Sequence, residues 1–356
     1  MKKNIYIFFL IFIIIISICF FFIFNYNIEN YIEKKLDIEI EKSRDYNIKL
    51  WPSIKISNNK IDLIKFKKKT FINDSNIEIT KEFNLTAPFK INLNSPLVTY
   101  KGLDFTNFFI NLEYLNNQLK IKNLSTEFDN GKILINGETK LDDLQSLDLF
   151  GNIKNISINN LLRKLELYDL GRYNIQLSSN NFEISGILNN KNNSINNLKG
   201  IIPIKGSLFF SSNDNERFSI ALLNLLIDKI SDLSIIAYAL EYIISNYADI
   251  PSDIIGNLYL ENEIILFDKI IIVNEFSSSI ITGKINYKED KLNIKIDLKT
   301  NNKNKLEISL DGKINNPFIL IKNQDNLVNT SFKFEEINEI FKNGINKYIE
   351  LLLNND

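Results

Sequence analysis

The side chains in this 356-residue chain that could carry out acid–base chemistry are of few kinds. There is no histidine, which excludes Ser-His-Asp and Cys-His triads and nearly all zinc and non-haem iron sites. Carboxylate pairs remain, but Asp142 and Asp143, like Glu335 and Glu336, are adjacent in sequence and point apart on a strand or helix. We therefore predict a protein that is not an enzyme, with no catalytic residue, cofactor or metal. A glycosidase-type carboxylate pair assembled from distant strands is the enzymatic alternative.

The charge balance argues against nucleic acid as a partner. Lys and Arg total 42 against 43 Asp and Glu, which gives a formal net charge of -1, whereas nucleic-acid affinity comes largely from basic residues that neutralise phosphates. The cluster at Lys65, Lys67, Lys68 and Lys69 is interpreted as a solvated loop, with contact to anionic headgroups as the alternative.

A segment near the N-terminus has the length and composition of a membrane anchor. From Ile5 to Phe24 the chain is apolar and uncharged, and 20 residues at about 1.5 Å each match the hydrocarbon thickness of a bilayer. Lys2 and Lys3 precede it, so the positive-inside bias predicts a cytoplasmic tip and an extracytoplasmic remainder. A cleaved signal peptide is the alternative, although no small-x-small cleavage site follows. Cys19 lies inside this run, and a single cysteine excludes an intramolecular disulfide.

Alternating hydrophobicity dominates from Tyr46 onward and predicts strands. Apolar residues alternate with polar ones from Leu292 to Lys299 and again from Leu306 to Asp311, which is typical of strands with one apolar and one wet face. Two continuous apolar runs, Ile264 to Phe267 and Ile270 to Val273, are instead typical of strands buried on both faces.

A short repeat, apolar-x-Gly-x-apolar, recurs through the second half of the chain. Glycine inside a strand permits bulges and bends, so the repeat predicts a strongly curved antiparallel sheet. The alternative is that these glycines begin strands after turns. The glycines of the repeat are Gly137, Gly151, Gly186, Gly200, Gly206, Gly256, Gly283 and Gly312.

Helical spacing predicts four helical stretches after the anchor. A short juxtamembrane helix begins near Ile28 and fades by Ser43, and a second runs from Ser157 to Leu165. An apolar helix from Phe218 to Tyr247 is broken near Ser231 and stopped before Pro251, and an amphipathic helix runs from Phe334 to Leu353. We interpret the last three as plugs or lids on a β core, with a second membrane contact as the alternative.

The order of these elements resembles the AsmA family of inner-membrane-anchored periplasmic proteins. The resemblance covers about Gly102 to Asn323. Its pieces are Leu119 to Ser125, Phe128 to Gly137, Leu149 to Leu165, Ile254 to Asn262, Ile281 to Ile285, Leu292 to Leu298 and Leu310 to Pro317, with Leu50 to Ile56 similar to the family's Pro-containing strand after the anchor. Each piece is a strand pattern rather than a catalytic signature.

The resemblance implies a curved β-sheet groove related to TamB-like and bridge-type lipid-transfer proteins. The domains expected are a tip and transmembrane anchor (1–24), a juxtamembrane helix and N-terminal β region (25–101), an AsmA-like β domain (102–323) and a C-terminal amphipathic helix (324–356). The fold class is mainly β, with a groove or a sandwich and a few amphipathic helices. About 20 strands at roughly 4.8 Å each would give at most about 100 Å of groove if all joined one sheet.

The predicted function is to shelter or transfer phospholipid or another acyl-chain lipid in outer-membrane biogenesis. The expected partners are membrane lipids and a protein of the outer membrane or periplasm. The predicted location is the bacterial inner membrane, with most of the chain in the periplasm. A scaffold or assembly factor for outer-membrane proteins, built on a closed sandwich, is the alternative. The predicted groove-lining residues are Leu258, Ile285, Ile294, Ile296, Ile308 and Ile314.

Overall fold

The protein is mainly β in the computed structural model. The structure describes residues 38–41, 46–66, 70–84, 86–100, 102–140, 145–164, 173–189, 194–212, 231–300, 303–323, 329–333 and 336. Those residues form eighteen strands and two helices. By its internal contacts the chain divides into two units, between Asn111 and Leu112.

The first unit contains five strands and most of a sixth. They are β1 (Ile38–Glu41), β2 (Tyr46–Lys49), β3 (Ser53–Phe66), β4 (Thr70–Glu82), β5 (Phe89–Tyr100) and β6 (Leu103–Leu115).

The second unit contains twelve further strands and both helices. They are β7 (Gln118–Phe128), β8 (Gly131–Lys140), β9 (Gln145–Ser157), α1 (Ile158–Lys164), β10 (Tyr173–Asn189), β11 (Ser194–Phe210), α2 (Ser231–Tyr247), β12 (Ser252–Glu261), β13 (Ile264–Val273), β14 (Ser277–Asn286), β15 (Lys291–Thr300), β16 (Lys303–Lys313), β17 (Asn316–Asn323) and β18 (Asn329–Lys333).

In the first unit the long strand β3 organises the pairing. β1 and β2 both pair antiparallel with β3, at its C-terminal and N-terminal ends respectively, and β4 pairs with β3 and β5. Ile72 and Val98 lie opposite each other and are buried against Phe105 and Phe108. The predicted juxtamembrane helix is wrong for residues 38–41, because Ile38 and Ile40 alternate with glutamates and this short segment pairs as a strand.

In the second unit each strand pairs antiparallel with the next one along the chain, from β7 to β18. Among the described residues β18 has no pairing with β7, so this sheet is open. The two apolar runs before and after Asp268 form one strand, β13, with a bulge between Phe267 and Ile270. The expectation that both runs are buried on both faces is wrong, because Ile270 is the only one of their residues that is buried.

The repeated glycines lie inside strands rather than at strand starts. At Gly151 an added Cβ would overlap the carbonyl oxygen of Leu134 on the neighbouring strand. Gly283 has a φ of +138°, and a Cβ there would overlap the carbonyl oxygen of Asn293. These positions therefore require glycine for backbone geometry.

Both described helices lie where the sequence predicts helices. α1 spans the predicted Ser157–Leu165 stretch to within one residue, and α2 begins at Ser231, the predicted break, and ends at Tyr247. None of the helices formed by described residues is long and apolar enough to cross a membrane.

Several predictions fall on residues outside the described part of the chain. They are the anchor (Ile5 to Phe24), the start of the juxtamembrane helix, the stretch from Phe218 to Ile230 and nearly all of the C-terminal helix. Strand β18 extends the sheet beyond the predicted domain end at Asn323. The division at 111/112 falls inside β6, ten residues after the predicted domain boundary at 101/102.

Candidate functional site

The pairing register of the second unit places apolar side chains on one face of the sheet. Directly opposed residues of adjacent strands project to the same side. A row across six strands consists of Leu258, Phe267, Gly283, Ile294, Leu310 and Ile319. A parallel row nearer the strand ends consists of Leu260, Ile265, Ile285, Leu292, Gly312 and Pro317. We call the surface formed by these rows and their continuation the apolar face.

The apolar face continues across the earlier strands of the unit. Ile202 lies opposite Leu258, and Gly200 lies opposite Ile184 on β10. Farther along, Leu149 on β9 lies opposite both Ile184 and Gly137. The same side is therefore predominantly apolar from β7 through β17, with glycines, a few hydroxyl residues and Asn323 as exceptions.

Helix α2 packs against one end of this face. Its side chains Ile235, Ile236 and Ala239 are buried in a cluster with strand residues of that end. The buried strand residues of the cluster are Phe210, Leu298, Leu306, Ile319, Ile321 and Phe332. Leu306 has no solvent exposure. Burial against α2 therefore stabilises this end of the sheet through the hydrophobic effect.

Polar contacts fix α2 on the strands that it covers. The hydroxyls of Tyr242 and Thr300 share a hydrogen bond of 2.5 Å, and Tyr247 and Ser279 form another between their hydroxyls. Burial raises the pKa of Tyr247 to about 12, against the lowering effect of its bond to Ser279. After the helix, the amide of Asp249 donates to the carbonyl oxygen of Phe210 at 2.8 Å.

Outside the α2 cluster, Ile204, Ile254 and Ile270 form a second buried cluster on the apolar face, and other side chains of this face are only partly buried. Leu258, Phe267, Ile285 and Ile294 are each half-buried, although each is an apolar side chain that a packed core would enclose. A contiguous, partly exposed apolar surface is typical of a binding site. We call this part of the apolar face its open part.

The opposite face of the sheet, the outer face, carries paired charges. Glu307 accepts hydrogen bonds from Lys295 at 2.9 Å and from Lys322 at 3.0 Å, and only 15% of its side chain is exposed. The bond from Lys295 holds the pKa of Glu307 below its usual value, more than partial burial raises it. The same contact raises the pKa of Lys295.

The six predicted groove residues have three different environments. Leu258, Ile285 and Ile294 lie in the open part. Ile296 and Ile308 share their face but pack against the α2 cluster. Ile314 lies in the turn after β16, where its amide donates to the carbonyl oxygen of Asp290 at 3.2 Å.

Several members of the same surface are not among the residues predicted to line the groove. Phe267 and Ile265 belong to a continuous apolar run, so alternation could not assign them to a face. The bulge after Phe267 also shifts which residues of β13 project to each face of the sheet. Leu260 continues the alternation of Leu258, which is the signal that could have identified it. Leu310 belongs to the alternation predicted from Leu306 to Asp311 and packs against the α2 cluster.

The described residues contain no group of three or more Cys, Asp or Glu side chains that could hold a metal ion. The carboxylates Asp142, Asp143 and Glu335 lie outside the described residues. Glu336 accepts a hydrogen bond from the amide of Lys333 at 2.8 Å, which is a local backbone contact.

Comparison with protein-family models, curated proteins and solved structures finds no match.

Proposed function

We propose that the apolar face of the second unit binds the acyl chains of membrane lipid, and that the protein shelters or transfers this lipid. The observation that carries the proposal is the row Leu258, Phe267 and Ile294, which the pairing register places in one apolar strip with half-buried side chains. An acyl chain is the ligand whose chemistry matches such a strip, since each CH₂ removed from water contributes about 0.8 kcal/mol.

The size of the sheet supports an acyl-chain ligand. β7 to β18 comprise twelve strands, and eleven spacings of about 4.8 Å give about 53 Å along the stacking direction. Bulges occur within the β7–β8, β12–β13 and β13–β14 pairs, next to the strand-interior glycines Gly137, Gly256 and Gly283. Bulges and interior glycines are the features that bend sheets, which supports a curved groove over a flat surface.

The position of α2 gives the groove one covered and one accessible end. The helix buries Leu298, Leu306 and Ile321, while Ile285 and Ile294 lie toward the opposite strand ends. We infer that acyl chains enter at the open part. The predicted anchor at Ile5 to Phe24 would hold this surface close to the inner membrane, as in the AsmA-like arrangement, with transfer toward the outer membrane as the role.

Site-specific photocrosslinking tests this function. A benzoylphenylalanine at position 294 is expected to crosslink radiolabelled phospholipid in a bacterial host that expresses the full chain. The matched control is position 255, since Ile255 lies on the outer face opposite Lys205 and is 49% exposed. Equal crosslinking at 294 and 255, or none at either, would contradict the proposal.

The second candidate is a scaffold or assembly factor for outer-membrane proteins. The observation in its favour is the packing of Ile296 and Ile308 against α2, which occupies part of the apolar face with protein. For this candidate, a probe at position 294 should crosslink a protein and no lipid.

A further inference from the structure

One row on the outer face departs from the polar character of that surface. Phe150, Glu183, Ile201, Tyr259 and Leu266 lie directly opposite one another across β9 to β13. Phe150 is 51% exposed and Ile201 is 46% exposed. The row lines a concavity of about 670 Å³. Exposed apolar side chains grouped in a concavity are typical of interaction sites.

The charges around this concavity are predominantly negative and unpaired. Its lining includes the carboxylates of Asp148, Glu183 and Glu261 and a single cation, Lys199. Within the described part of the chain, none of the three carboxylates has an ion pair or hydrogen-bond partner. By contrast, Glu307 on the same face is bonded to two lysines. The concavity therefore combines an apolar strip with three carboxylates and one lysine, Lys199, which lies directly opposite Glu261.

We propose that this concavity docks a basic amphipathic helix of a partner protein. The row from Phe150 to Leu266 crosses four strand spacings, about 19 Å, which corresponds to about 13 residues of helix. The apolar stripe of the helix packs on Phe150, Ile201 and Leu266, and its Lys or Arg side chains pair with Asp148 and Glu261. The row from Phe150 to Leu266 is on the opposite side of the sheet from the lipid-binding face, so the proposal does not depend on lipid binding. The lining of the concavity also includes Leu149, Ile184, Gly200 and Leu260, which belong to the apolar face.

A synthetic 14-residue helical peptide of Leu and Lys, with Leu at i, i+3, i+4 and i+7 spacing, serves as the probe. Its binding to the full chain in nonionic micelles is measured by fluorescence anisotropy, with empty micelles as the baseline. A peptide with Glu in place of Lys is the charge control. We expect the Lys peptide to bind at least about tenfold more tightly than the Glu peptide, because complementary charge favours the correct partner and like charge disfavours the wrong one.

Two serine substitutions locate the binding. Ile201→Ser is expected to weaken binding about tenfold, because it removes a central apolar contact. Ile255→Ser changes the same residue type with similar exposure on the same face outside the concavity, and should leave binding within about twofold. Glu183→Gln should reduce the preference for Lys over Glu.

Three results would overturn the proposal. The first is equal affinity for the two peptides, and the second is equal effects of Ile201→Ser and Ile255→Ser. The third is self-association of the chain without peptide, measured by sedimentation and abolished by Ile201→Ser, because a second copy would then be the occupant.

Discussion

Ile294 on β15 lies directly opposite Gly283 on β14. Gly283 contributes no side chain, so on this flank the side chain of Ile294 has no cross-strand side-chain neighbour. The apolar face therefore combines large aliphatic side chains with glycines at which the backbone of the neighbouring strand approaches closely.

The first prediction concerns Gly283. Gly283→Ala introduces a Cβ that overlaps the carbonyl oxygen of Asn293 and lies 2.7 Å from the Cα of Ile294, at a φ of +138°. We expect a loss of at least about 2 kcal/mol in the free energy of unfolding, from backbone strain and overpacking together. A urea titration monitored by far-UV circular dichroism measures this loss.

Gly312→Ala is the matched control for Gly283→Ala. Gly312 also has a positive φ, +113°, but an added Cβ there would approach its nearest neighbour, the amide nitrogen of Phe318, only to 4.0 Å. Gly312→Ala should therefore lower the free energy of unfolding less than Gly283→Ala does. Equal losses would mean that the neighbouring strand does not determine the requirement at Gly283.

The second prediction concerns the cluster under α2. Leu306→Ala removes a fully buried side chain and should lower the free energy of unfolding by about 3–5 kcal/mol, since the site is enclosed by helix and sheet. Ile255→Ala, at an exposed outer-face position, should cost less than about 1 kcal/mol. Similar urea midpoints for the two variants would contradict the packing of α2 on β16.

The third prediction concerns alkaline stability. The pKa of Tyr247 is raised to about 12 from an ordinary value of 10.0, with burial as the largest cause. Because the folded-state pKa exceeds the unfolded-state one, this stabilising contribution is complete below pH 10 and is lost as the pH rises toward 12. Tyr247→Phe should lower the free energy of unfolding by about 1 kcal/mol near neutral pH, because the hydrogen bond to the Ser279 hydroxyl is lost.

Unfolding measurements on both proteins between pH 8 and 11.5 test this account. Stability of the wild type should fall more steeply above pH 10 than that of Tyr247→Phe. Parallel pH profiles would show that the Tyr247 hydroxyl is not buried against β14.

The fourth prediction concerns acid stability. The pKa of Glu307 is lowered, chiefly by its bond from Lys295. Its stabilising contribution is therefore present above the unfolded-state value of about 4.3 and is lost as the pH falls through the folded-state pKa. Glu307→Gln should lower the free energy of unfolding by about 1 kcal/mol at pH 7. The difference in this free energy between the variant and the wild type should become smaller below about pH 4.

Glu82→Gln is the control for Glu307→Gln. Glu82 pairs with Lys90 at 3.2 Å, but 58% of its side chain is exposed, so solvent screens the interaction and its removal should have little effect. If the difference in the free energy of unfolding between the wild type and Glu307→Gln stays constant from pH 7 to pH 3, the ionised form of Glu307 is not the source of the stabilisation.

Period-two alternation predicted much of the strand architecture. Leu292 to Leu298 and Leu306 to Leu310 fall on the expected faces of β15 and β16, because a strand with one apolar face carries this pattern locally. α1 and α2 were predicted for the corresponding reason, since helical spacing and the stop before Pro251 are local signals.

Long-range packing explains what the sequence did not predict. Nothing local indicates that Ile296 and Ile308 pack against the α2 cluster while Ile294 lies outside it. The bulge in β13 depends on pairing with β12 and β14, so the face of Phe267 could not be assigned from its run. The pairing of β1 with β3 likewise joins residues about 25 positions apart. The helical spacing of the apolar residues before Ile38 had instead predicted that a helix continues through β1.

The measurement that tests lipid binding most directly is mass spectrometry of phospholipid that co-purifies with the full chain. The double variant Ile285→Asp, Ile294→Asp places charge in the open part of the apolar face. It is better suited than Ile308→Asp, because Ile308 packs against α2. Ile255→Asp makes the same change on the outer face. We predict less phospholipid per chain for the double variant and the wild-type amount for Ile255→Asp. A folded double variant with the wild-type amount of phospholipid would contradict lipid binding at this face.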